Sequence, residues 1–147
     1  MKKIFIYYSL SGNGDLVAEY LSKKDIDIRK VNTSETLSKN MVLRIITGGF
    51  KAMINYKDKL VGFDNDIASY NEIIIGSPIW NSRLSSPINS VLDKINLSNK
   101  KITFILYSGS GKAIKAHELI NKKFKAKIID LKEPLRNKEE LKKLNNY

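Results

Sequence analysis

Five short apolar runs punctuate the chain: Ile4–Tyr8, Ile26–Val31, Glu72–Gly76, Ile102–Tyr107 and Ala126–Leu131. Each has the length of a strand. The first, third and fourth are apolar at successive positions, as strands covered on both faces of a parallel sheet must be. The second and fifth alternate apolar with charged residues, which predicts edge strands. A different spacing separates the runs. Leu16, Val17, Ala18 and Leu21 recur at helical intervals within Asp15–Ser22, and Ile88, Val91, Leu92 and Ile95 fall on one face of Pro87–Ile95. Lys112–Lys123 and Lys138–Leu144 also read as helices. Strands alternating with helices imply right-handed crossovers. The predicted fold class is α/β: a single-domain, doubly wound, five-stranded parallel sheet.

The stretch between the second and third runs is longer. Val42 to Met53 predicts a helix broken at Gly48-Gly49, and Asn55–Asp66 reads as irregular. Asn65–Tyr70 then predicts a single turn entering the third strand. No repeat and no Pro/Gly-rich linker divides the 147 residues, so one domain over 1–147 is expected.

Composition removes several chemistries. The chain has no cysteine, so disulfides, thiolate catalysis and Cys-ligated metals are excluded. Its one histidine, His117, rules out multi-His metal sites, and no metal site is expected. The apolar run after Met1-Lys2-Lys3 is too short for a signal peptide, and none approaches the roughly 20 residues of a membrane span. A soluble, cytoplasmic protein is expected. The net charge of +11 is uneven: residues 100–147 hold 13 Lys/Arg against 5 Asp/Glu. A basic face of this kind meets acidic partners by electrostatic steering. No aromatic-basic interleaving accompanies it, so nucleic acid is not an expected partner, nor is a membrane. In the plain reading the lysines form a solvated face.

In open parallel sheets, ligands bind outside the carboxyl ends of the strands, at the point where strand order reverses. Three loops leave such ends here. Ser9-Leu10-Ser11-Gly12-Asn13-Gly14 follows the first strand and opens a helix, so it aims backbone N–H groups and a helix dipole at one spot suited to phosphate. Ser11 or Asn13 as a simple helix cap is the plainer alternative. Ser77-Pro78-Ile79-Trp80-Asn81-Ser82-Arg83 follows the third strand and carries the only tryptophan, a planar surface for a flat aromatic ligand. Ser108-Gly109-Ser110-Gly111 follows the fourth. With strand order 2-1-3-4-5, these loops line one crevice.

The first loop resembles the S-x-T-G-N-T phosphate loop of flavodoxins. Ile73–Trp80 resembles the family's strand and ring-covering loop, and Ser108–Gly111 is similar to its third flavin loop. The resemblance spans roughly Lys3 to Leu131. It implies a flavodoxin-like fold, non-covalent FMN and transfer of one or two electrons between redox partner proteins. By position, Ser9, Ser11, Gly12, Asn13 and Gly14 would hold the phosphate. Pro78, Ile79, Trp80 and Asn81 would contact the ring system, while Ser108, Gly109 and Gly111 would meet its pyrimidine edge.

Three departures qualify the resemblance. Gly14 replaces the family's threonine, removing a hydroxyl donor worth roughly 1.5–3 kcal/mol against a charged acceptor; restoring threonine is expected to tighten FMN binding. The third loop has no aromatic residue, so one ring face is expected to be open or covered by another group. The basic charge, with Arg83 near the ring loop, inverts the family's acidity and implies a less negative reduction potential and an acidic partner.

Other readings fail on residues. Gly109-Ser110-Gly111-Lys112 lacks the spaced glycine (position 106 is Leu) and the following hydroxyl (113 is Ala) of a P-loop. Tyr8-Ser9 and Gly76-Ser77 stand where a receiver domain needs acids, and Val17 leaves the dinucleotide pattern begun by Gly12-Asn13-Gly14 incomplete. Ser11 and Ser77 lack a plausible base. His117 is expected to face solvent or pack beside Leu119 and Ile120. An FMN-dependent NAD(P)H oxidoreductase, and a non-catalytic module that binds an acidic partner, remain the alternatives to an electron carrier.

Overall fold

Successive residues of the first apolar run point to opposite faces of a sheet. Ile4, Ile6 and Tyr8 enter one core and Phe5 and Tyr7 the other. The computed structural model, which describes residues 1–34 and 57–147, repeats this division along the central strands. Ile73 and Ile75 face one way and Ile74 the other; Phe104 and Leu106 oppose Ile105 and Tyr107. A run that is apolar at every position is what two covered faces require. Large side chains including Phe5, Phe104 and Ile73 to Ile75 are below 2 % exposed. Each such burial contributes about 1.5–3 kcal/mol.

The strands are β1 (Lys3–Tyr7), β2 (Asp27–Lys30), β3 (Glu72–Trp80), β4 (Arg83–Leu84), β5 (Lys101–Ser108) and β6 (Ala126–Lys132). Their order is β2-β1-β3-β5-β6, with β4 paired only to β3. All pairings along this path are parallel, and β3–β4 is antiparallel. The five predicted runs are therefore β1, β2, β3, β5 and β6 in the predicted order, with the alternating runs at the two edges. The short β4 was not foreseen.

Helix α1 (Asn13–Ser22) and a C-terminal 3-10 helix (Lys138–Leu144) cover one face. Helices α2 (Ser86–Leu92) and α3 (Ile114–Lys123) cover the other. Several details differ from the sequence reading. The segment 138–144 winds as 3-10 and buries Leu141 and Leu144, while Glu140 and Lys143 bond to β6. Helix α3 begins at Ile114, because Gly111 adopts φ 70 and Ala113 is extended away from helical geometry. Helix α2 ends at Leu92, before the predicted Ile95, and β2 is shorter than its apolar run. The predicted turn at 65–70 is present, closed by the Tyr70 amide donating to the Ile67 carbonyl at 3.1 Å. The predicted helix over Val42–Met53 lies outside the described residues. Within the described residues no helix is long and apolar enough to cross a membrane.

Candidate functional site

The carboxyl ends of β1, β3 and β5 lie side by side, since β3 pairs with both neighbours. The three candidate loops leave the sheet there, so the topology places them at adjacent strand ends.

After β1 the chain turns sharply at Gly12, whose φ of 96 is left-handed. Gly12, not Ser11 or Asn13, is the N-cap of α1, and being glycine it offers no side-chain acceptor to the first turn. Asn13 and Gly14 take the first helical positions, where amides have no acceptor within the helix. Ser9 Oγ accepts from the Asp15 amide at 3.3 Å. Ser11 is exposed, and its Oγ accepts from Asn13 Nδ2 at 3.2 Å. Asn13 Oδ1 in turn accepts from the Leu135 amide at 2.9 Å, tying the loop to the segment after β6. Leu135 packs beside Gly12, where an added Cβ would meet its Cδ2 at 3.4 Å.

Gly14 is explained by a residue the sequence reading passed over. A Cβ at Gly14 would lie 2.5 Å from the Tyr107 hydroxyl oxygen and 3.0 Å from Ser9 Cβ. Tyr107, at the end of β5, is 3 % exposed and donates its hydroxyl hydrogen to the Tyr8 carbonyl. The space a threonine would need is filled from the next strand but one. The expectation that Gly14→Thr tightens cofactor binding is thus corrected: the substitution collides with Tyr107 and Ser9. The available signal was the pairing of a small residue on α1 with a large one at the end of β5, which needs the strand order to be read.

Asp15 follows this loop directly. Its Oδ1 accepts from the Tyr7 hydroxyl at 2.9 Å and from Lys30 Nζ at 2.7 Å. Burial works to raise the Asp15 carboxyl, but the hydrogen bonds from Lys30 and Tyr7 outweigh it and hold it below the usual carboxylate range. Its negative charge is therefore compensated beside a loop that would receive an anion. Burial first, then the Asp15 carboxylate, pushes the Tyr7 hydroxyl well above the ordinary phenol range.

The second loop is largely a hairpin. Strand β3 continues through Pro78, Ile79 and Trp80; Asn81 and Ser82 turn with φ 48 and 64; and β4 returns, pairing Trp80 with Arg83 and Ile79 with Leu84. Two consecutive positive φ values match the twist of the flanking strands. Ser82 fastens the tip to α3: its carbonyl accepts from the Ala116 amide at 2.8 Å and its Oγ from the Lys115 amide at 3.2 Å. Two first-turn amides of α3 are satisfied by the hairpin. The indole of Trp80 meets Tyr8 edge to face, with centroids 5.9 Å apart. Ser77 is fully buried; its Oγ accepts from the Ser85 amide at 3.0 Å and so holds the start of α2, with no base beside it.

In the third loop Ser108 Oγ accepts from the Gly111 amide at 2.9 Å, and the Ser108 carbonyl accepts from Glu133. A Cβ at Gly109 would meet nothing within 4 Å. That position therefore keeps open space at the crevice without any packing need inside the chain. His117 does not merely pack: its Nε2 lies 3.0 Å from Asp130 Oδ1 across α3 and β6.

Three loops that offer a glycine-capped helix start, a tryptophan and a glycine edge, on this strand order, define a doubly wound α/β protein of flavodoxin-like fold. Solved structures of the same fold agree over nearly the full length. The chain is similar to a protein assigned as a flavoprotein from Bacteroides eggerthii, with a TM-score of 0.75 and 16% identity over 98% of this chain and 96% of that one. A second such protein, from Bacteroides uniformis, gives 0.67 and 20% over 87% and 89%. A flavoprotein from Lactobacillus acidophilus, solved in complex with FMN, gives 0.61 and 21% over 94% and 97%. No protein-family model and no curated protein sequence matches the chain.

Proposed function

We propose that this protein binds FMN non-covalently and passes electrons between redox partner proteins. The observation that carries the reading is the left-handed entry of α1 at its Gly12 N-cap, beside the Trp80 hairpin on the neighbouring strand. The donor set suits a phosphate monoester. The amides of Asn13 and Gly14 and the hydroxyls of Ser9 and Ser11 supply neutral donors, and the helix dipole favours negative charge. Lys30 relieves the nearby Asp15 carboxylate, which would otherwise repel the phosphate. Trp80 would cover one ring face, with Pro78, Ile79 and Asn81 around it. Backbone groups of Ser108, Gly109 and Gly111 would meet the pyrimidine edge, where Gly109 leaves room. FMN, when bound, supplies the redox chemistry, and the chain's part is to bind, orient and tune it. Similarity in fold to the Lactobacillus acidophilus FMN complex supports the reading. The third loop carries no aromatic residue, so the second ring face is left for a partner or substrate to approach.

Flavin-fluorescence titration tests this. Apoprotein should quench FMN at a single site, and Ser11→Ala together with Trp80→Ala should each weaken it at least about tenfold. A protein that leaves FMN fluorescence unchanged would overturn the proposal and favour a non-catalytic module for an acidic partner. Oxidation of NAD(P)H by the isolated holoprotein would assign it as a reductase instead of a carrier.

A further inference from the structure

Among the described residues, Arg83 stands out from the other arginines. Arg29 pairs with Asp64 at 2.9 Å and donates to two backbone carbonyls, and Arg136 pairs with Glu133. Arg83 is different: its Nη1 is buried and has no hydrogen-bond partner. A buried N–H without an acceptor costs stability, while Arg83 as a whole is only partly buried and lines the cavity between the helices. It is held there by the β3–β4 hairpin, whose tip is fastened to α3 through Ser82.

Arg83 lines a cavity of about 880 Å³ between α2 and α3, on the opposite side of the sheet from α1. A cavity of this size suits a small organic molecule. Five basic and two acidic side chains line it, and one of each, Lys57 and Asp93, pair with one another. The remainder is Arg83, Lys115, Lys122 and Lys123 against the exposed Glu118. The wall therefore carries excess positive charge around a donor that lacks an acceptor.

We infer that this cavity is a second anion site, separate from the phosphate loop, which takes a small organic molecule bearing a phosphate or pyrophosphate group. The guanidinium offers a planar fork to such a group, and the lysines add point charges around it. A concave wall with one buried donor fits a small ligand better than the flat face of an acidic protein. Because Arg83 is the cross-strand partner of Trp80, and paired residues share a face of the hairpin, the ligand would lie next to the ring-covering residue.

Inorganic pyrophosphate is the probe. Calorimetric titration of the full chain at low salt, with the phosphate loop first saturated by FMN, should show one site. Arg83→Met, which keeps the apolar stem, should weaken it at least tenfold, and Lys115→Gln with Lys122→Gln should weaken it several-fold. Citrate at equal concentration should bind more weakly; equal binding would assign the site to carboxylates and overturn the phosphate class. Loss of pyrophosphate binding on adding FMN would place the anion in the phosphate loop, and unchanged affinity in Arg83→Met would remove Arg83; either overturns the inference. If Arg83→Met fails to fold, the lysine double variant decides alone. Should FMN itself fail to bind, the titration is run without it, and the Arg83 comparison still reads this site.

Discussion

Tyr107 and Gly14 form a matched pair whose two members sit 93 positions apart in the chain, on β5 and α1. The hydroxyl that a threonine at position 14 would have offered is replaced by packing: Tyr107 braces the start of α1 and fixes the Tyr8 carbonyl at the end of β1. Gly14→Thr should therefore destabilise the fold by about 1–3 kcal/mol, the usual range for overpacking, and should weaken FMN binding. Urea unfolding with a parallel flavin titration checks both; tighter binding at unchanged stability would refute the brace. Asp15 is the second telling residue. Its carboxyl is held low by Lys30 and Tyr7, so its contribution is fully present above the ordinary carboxylate pKa of about 3.9 and is lost as pH falls through the lower folded value. The stability gap between the native chain and Asp15→Asn should be largest near neutral pH and close as the solution is acidified below the ordinary carboxylate range. A gap that stays constant down to that acidity would show the ion pair with Lys30 to be inert.

At the level of elements, the β3–β4 hairpin matters most, because one short turn carries both Trp80 and Arg83. Asn81 and Ser82 hold left-handed φ values, and the Ser82 carbonyl and hydroxyl close the first turn of α3. Asn81→Pro locks φ near −65° and cannot make this turn. It should cost at least about tenfold in FMN affinity while the sheet stays folded, since β4 contributes only two residues. Circular dichroism alongside the titration separates the two effects; native-like affinity would show that the hairpin does not shape the ring site. By sequence, Ser77–Arg83 reads as a loop that follows the third apolar run. Only pairing with β4 shows that Trp80 lies on a strand.

Across the whole molecule the charge is set against the chemistry proposed for it. A net charge of +11 stabilises added negative charge in its vicinity. Bound FMN should be easier to reduce than in an acidic protein of this fold, and its reduction potential should become more negative as salt screens the lysines. Potentiometric titration at two ionic strengths reads both signs, and a potential insensitive to salt would assign the lysines to solubility alone. The opposite end of the sheet shows how charge is handled away from the site. Glu72 is fully buried at the start of β3, yet Lys101 lies at 3.2 Å and Lys3 at 3.9 Å.

The sequence by itself determined the layered architecture. Runs apolar at every position demand two covered faces, alternating runs belong at edges, and short connections between alternating strands and helices leave little choice of winding. It also located the three loops, since small residues directly after an apolar strand are local signals. Tertiary structure decided what those loops contain. Gly14 is set by Tyr107, the cap at Gly12 is neighboured by Leu135, and the α3 start is satisfied by Ser82. Each of these is a contact between residues far apart in the chain, fixed by strand order and side-chain volume. Periodicity reports which face a residue occupies. It carries no information about which distant atom already fills the space beside it.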